Sequence, residues 1–78
     1  MSLESFLTEK IKELAFVNVG PDDAIVSSQV LDSITVVDLS VCIEEEYGTK
    51  IPFNEITVEN FDTINKIVAY LRTKGLNT

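Results

Sequence analysis

The chain has no histidine and no tryptophan, and it carries a single cysteine, a single methionine, two prolines and three glycines. Without histidine there is no Ser-His pair to activate a nucleophile, and one cysteine does not make a zinc ligand set. Cys42 lacks a partner for an internal disulfide. The N-terminus Met1-Ser2-Leu3-Glu4 also lacks a basic region ahead of an apolar core, so a reducing cytoplasm is the expected compartment. No apolar run approaches the roughly 20 residues that span a bilayer, so membrane insertion is not expected. Positive charge is scarce as well: six Lys and Arg face 13 Asp and Glu, for a net charge of −7. Such a surface repels nucleic acid and anionic membranes and favours basic protein partners.

What is present is a chain of 78 residues, 45% hydrophobic and 24% charged, the composition of one small globular domain spanning 1–78 and expected as a monomer. Leu3, Phe6, Leu7, Ile11 and Leu14 recur at three- and four-residue steps and predict an amphipathic helix over 3–16, capped by Ser2. Residues 17–31 have no helical period, contain Gly20-Pro21, and form a long loop for so small a chain. Ile25, Val26 and Val30 would pin that loop to the core. Asp32 and Ser33 are both N-cap types ahead of a periodic segment that runs to Tyr47, and Gly48 supplies its stop. Ile51-Pro52-Phe53 breaks the chain, and residues 54–60 are long enough for one short helix. Asp62 or Thr63 then caps a last helix whose stripe is Ile64, Ile67, Val68 and Leu71, closed by Lys74-Gly75. No strand alternation and no repeat is visible. The predicted fold is all-α, a small four-helix bundle of three longer helices and one short one.

The second helix has more apolar surface than a core requires. At about 100° per residue, Val36, Leu39, Ile43 and Tyr47 fall on one side, while Ile34, Val37 and Val41 fall on the opposite side beside Asp38 and Glu45. One face serves the core. The other predicts either an exposed apolar strip with an acidic border, which marks a partner surface, or a face covered by the long loop. Glu44-Glu45-Glu46 adds three carboxylates at the helix end whose dipole disfavours them, which suggests docking of a basic partner.

Ser33 sits at the mouth of that helix. Ser33 or Asp32 could simply be the cap that takes up an orphan N–H. Alternatively Ser33 carries a group, since a phosphate there would meet the positive end of the helix. Self-activated nucleophilic attack lacks a base, because Val36 stands where a Ser-x-x-Lys motif needs lysine. Ser33 is better placed to be modified by another enzyme than to attack substrates itself.

Leu31-Asp32-Ser33-Ile34, followed by Asp38-Leu39, Ile43-Glu44-Glu45-Glu46-Tyr47, Ile51-Pro52 and the Ile67 to Leu71 core of the last helix, resembles the acyl and peptidyl carrier protein family over nearly the whole chain. The order and spacing of these elements carry the resemblance. It implies that Ser33 receives 4'-phosphopantetheine from coenzyme A through a phosphopantetheinyl transferase. The thiol of the arm would then hold an acyl or aminoacyl group as a thioester for presentation to loading and downstream biosynthetic enzymes. The pathways implied are fatty acid, polyketide, nonribosomal peptide or related biosynthesis. It further implies partner recognition by Asp32, Ile34, Val37, Asp38, Val41, Glu44 and Glu45 against basic docking surfaces, with no catalytic residue and no metal in the chain. Where many fatty acid carriers have Gly three residues before the serine, this chain has Val30, which looks closer to aminoacyl, peptidyl, D-alanyl or specialised carriers. The alternative from another class is a non-catalytic acidic helical adaptor that binds a basic partner through the second helix.

Overall fold

The computed structural model describes residues 2–76, and among them every regular element is helical. Helix α1 (Leu3–Ala15) begins where Ser2 Oγ accepts the Ser5 N–H at 3.1 Å, and it buries Leu3, Phe6, Leu7 and Ile11. It closes one residue short of the expected boundary. Phe16 turns left-handed at φ 57°, its N–H reaches Lys12 O at 2.9 Å, and the chain leaves the helix there.

Helix α2 (Ser33–Tyr47) buries Val36, Leu39, Ser40 and Ile43, and the half-buried Tyr47 extends that stripe. It stops at Gly48, φ 65°, whose N–H bonds Glu44 O at 2.9 Å. A Cβ at Gly48 would meet nothing within 4 Å, so glycine is favoured there by the backbone angle alone.

The short helix expected over 54–60 is divided. A single 3-10 turn occupies Phe53–Glu55, and α3 is the four-residue Val58–Phe61. Thr57 causes the split: as the N-cap of α3 it must be extended (φ −125°, ψ 166°), which no continuous helix allows. Helix α4 (Ile64–Thr73) is capped by Thr63, whose Oγ1 accepts the Lys66 N–H at 3.0 Å. The Ser2, Thr57 and Thr63 caps each contribute about 1 kcal/mol by taking up an orphan amide.

These elements form the small four-helix bundle that periodicity predicts, with α1 packed on α2 and α4, and α3 on α4. The Phe6 and Tyr47 rings meet edge to face, 5.3 Å between centroids, and pair the start of α1 with the end of α2. Phe61 is the largest of the fully buried side chains among the described residues and stands 5.6 Å from the Tyr70 ring. Each such buried apolar side chain contributes about 1.5–3 kcal/mol over its exposed state.

Asp62, the other expected cap of the last helix, does a different job. Its carboxylate accepts the Val26 N–H at 3.1 Å, the Ser27 N–H at 2.8 Å and the Ser27 hydroxyl at 2.9 Å, and its carbonyl accepts the Ile25 N–H at 2.7 Å. Asn65 holds the other end of the loop, donating from its backbone to Pro21 O and from Nδ2 to Asp22. The long loop is therefore clamped, with Ile25 and Leu31 buried and Val26 and Val30 packed against the core.

Ser27, then Val26 and the Lys66 charge, hold the Asp62 carboxyl below its usual range despite burial. A carboxyl whose folded pKa lies below the unfolded 3.8 stabilises the fold above that value, and the benefit is lost as pH falls through the lower folded value. Asp62→Asn should therefore lower the thermal midpoint at neutral pH and reduce its fall between about pH 5 and 2. An unchanged slope on the acid limb would show that the clamp is not ionic.

Candidate attachment site

Ser33 is the first residue of α2, and the cap belongs to Asp32. Asp32 Oδ1 accepts the Thr35 N–H at 2.7 Å from an extended backbone, φ −82° and ψ 177°, and the Thr35 side chain, then this backbone bond, hold the Asp32 carboxyl below its usual range. Of the two residues that could cap the helix, the structure selects Asp32. Ser33 is exposed, and its hydroxyl has no hydrogen-bond partner among the described residues. It is thus released from any local structural duty, at the positive end of a 15-residue helix.

Two depressions share Ser33 as a wall. One is a cleft of about 530 Å³ between the long loop, the start of α2 and the segment that leads into α3. Leu31 and Val36 form its floor, Val26, Ile56 and Val58 its apolar sides, and Gln29 and Asp32 the polar edge. Gln29 reaches that edge through a left-handed backbone, φ 63°. The other depression, about 310 Å³, lies along α2 and is bounded by Ser33, Ile34, Val37, Asp38 and Phe53.

The strip read from the helical wheel is present as a surface. Ile34 is 73% exposed and Val41 42%, Val37 is half-buried, and Asp38 and Glu45 are exposed along the border. The long loop does not cover it, since the loop residues Val26, Gln29 and Leu31 line the other depression. Glu44 differs from its neighbours. Its carboxylate accepts the Ile51 N–H at 2.6 Å, tying the end of α2 to the segment before the 3-10 turn and leaving Glu45 and Glu46 as the exposed carboxylates of the run.

Two exposed apolar residues beside Ser33 escape the sequence pattern. Phe53 is 77% exposed and Val58 47%, one on each side of the serine. Both lie between Pro52 and Asn60, a stretch too short for a period to show which way a side chain points. Cys42 is half-buried against the core, the place of a packing residue.

Phosphopantetheine fits this arrangement. A free serine hydroxyl offers the ester oxygen, the helix end favours the phosphate, and an apolar-walled cleft opens at the same residue. Residues 5–71 match the family described as "Phosphopantetheine attachment site". The chain is also 31% identical over 70 residues to the D-alanyl carrier protein of Streptococcus pyogenes serotype M5 (strain Manfredo), covering 87% of this chain and 89% of that one. The D-alanyl carrier protein of Streptococcus pyogenes serotype M49 (strain NZ131) matches to the same extent. With the fold, the match to residues 5–71 and these relatives in agreement, the chain belongs to the family of phosphopantetheine-attachment carrier domains.

Proposed function

We propose that this protein is a carrier whose Ser33 bears 4'-phosphopantetheine and which presents thioester-bound acyl or aminoacyl intermediates to partner enzymes. The observation that carries the proposal is the exposed, unpartnered Ser33 hydroxyl at the start of α2, with the Asp32 side chain supplying the cap. In the attachment step, Ser33 Oγ bonds to the phosphorus of coenzyme A that bears the pantetheine. The diphosphate P–O bond breaks, 3',5'-ADP leaves, and the hydroxyl proton passes to a base of the transferase. The bound arm supplies a thiol whose thioester is activated toward acyl transfer. Asp32 keeps the helix start in register, while Leu31, Val36, Ile56 and Val58 offer the arm an apolar surface. Val30, together with the D-alanyl carriers among the relatives, favours an aminoacyl cargo.

The partners proposed are a phosphopantetheinyl transferase and loading and downstream enzymes with basic docking surfaces. The carrier is proposed to act as a cytoplasmic monomer; no described helix is long and apolar enough to cross a membrane. Incubation with coenzyme A and a broad-specificity phosphopantetheinyl transferase should add the mass of one phosphopantetheine. No gain on the folded protein would remove the carrier role and leave an acidic helical adaptor.

Asp38 and Glu45 are the carboxylates to reverse, because Glu44 is engaged with Ile51. Asp38→Lys with Glu45→Lys should slow modification several-fold at low salt and leave helicity unchanged, since exposed charges act more on association than on folding. Equal rates at low salt would contradict electrostatic docking.

A further inference from the structure

We infer that Gln29 is a positioning residue whose carboxamide holds the phosphopantetheine arm along the cleft of about 530 Å³, an assignment that rests on the carrier role proposed above. The apolar walls of the cleft give the arm a surface but leave its polar groups without partners. The arm bears a phosphodiester, a hydroxyl and amides, and each costs free energy if it leaves water for an apolar wall unpaired. The polar side chains that line the cleft are Gln29, Asp32 and Ser33. Ser33 loses its proton once it is esterified, and Asp32 is an acceptor whose Oδ1 already takes the Thr35 N–H at 2.7 Å. Gln29 is then the one side-chain hydrogen-bond donor among the described lining residues, and its carboxamide can accept as well.

Gln29 stands where the backbone favours glycine. Its φ of 63° lies in the left-handed region, which costs stability for a residue with a Cβ. The side chain gives the fold nothing in return, being exposed with no hydrogen-bond partner for its carboxamide among the described residues. The backbone that carries it is nonetheless fixed. The Gln29 N–H bonds Val26 O at 3.0 Å, the Leu31 N–H bonds Ile25 O at 2.8 Å, and the Ser28 hydroxyl donates to Ala24 O. Asp62 binds Val26 and Ser27 from the far side of the loop. Holding the arm therefore orders one side chain and no backbone, which keeps the entropic cost of the contact small.

The test uses coenzyme A isotopically labelled at the amide nitrogens of its pantetheine. The broad-specificity transferase loads wild type, Gln29→Ala, Gln29→Glu and Gln29→Gly, and free coenzyme A is removed, so that only the attached arm is observed. Nuclear spin relaxation of the arm amide nearer the phosphate should give an order parameter above about 0.6 in wild type and below it in all three variants. Gln29→Glu keeps the length of the side chain and removes the donor, so wild-type order in that variant overturns the hydrogen bond. Gln29→Gly, relieved of the left-handed penalty, should raise the thermal midpoint of the unloaded protein while it frees the arm, whereas a merely structural glutamine would lower that midpoint on removal. An arm equally mobile in wild type and variants, or a lower midpoint in unloaded Gln29→Gly, overturns the positioning role alone. No mass gain on wild type overturns the carrier role and the positioning role with it.

Discussion

Ser33→Ala should gain no mass from coenzyme A and transferase while keeping the wild-type stability within about 0.5 kcal/mol. The two halves of that result are separable only because of how the helix start is built. If Ser33 were the cap, its loss would expose an orphan amide and weaken α2 along with any chemistry. The cap is Asp32, which keeps its bond to the Thr35 N–H in the variant. The Ser33 side chain is exposed and donates to no described group, and alanine is the better helix former at an exposed helical position. Intact mass and a thermal melt on the same samples measure both halves. A full mass gain in Ser33→Ala would move the attachment to another hydroxyl and remove the present assignment. A large drop in the melting midpoint would show that the serine has a structural duty.

Phe61→Ala should lower the unfolding free energy by about 3–5 kcal/mol. A chain of 78 residues has about 4–12 kcal/mol in total, so the loss takes at least about a quarter of it. Phe61 is fully buried, its ring meets Tyr70, and it ends α3, the short helix packed on α4. It also directly precedes Asp62, whose carboxylate clamps the long loop, so a shift of the backbone at the end of α3 is passed to the clamp. Loosening there releases Val26 on one side of the cleft and Ile56 and Val58 on the other. Urea unfolding by circular dichroism measures the first effect. A slower modification of Ser33 in the fraction that remains folded measures the second. A loss below about 1 kcal/mol would mean that neighbouring side chains collapse into the space.

Local signals account for what was legible beforehand. The stripes of α1, α2 and α4, the cap at Ser2, the choice of Asp62 or Thr63 for the cap of α4, and the stop at Gly48 are properties of residues within one or two turns of each other. Periodicity and cap chemistry therefore register them. The short segment after Pro52 was placed only coarsely, because a 3-10 turn and a four-residue helix each hold too few residues to show a period. Phe53 could be seen as an aromatic after a proline, but its outward direction depends on bonds from Glu44, Tyr70 and Lys74 that no short window contains.

By itself the sequence determined a helical bundle with an acidic surface, no histidine chemistry, and a serine at the mouth of a helix with two apolar sides. Those properties follow from composition and from a repeat of about 3.6 residues, both of which exist before the chain folds. The tertiary structure alone decided that Asp32 caps the helix and leaves Ser33 free, and that Asp62 clamps the loop from 35 and 36 residues away. It also engaged Glu44 and set Ser33 between a cleft and the pocket walled by Phe53. The Asp62 clamp and the walls around Ser33 are set by packing between elements distant in the chain, whereas the Asp32 cap and the Glu44 tie, three and seven residues from their partners, are choices among chemically equivalent donors and acceptors that only the folded geometry makes.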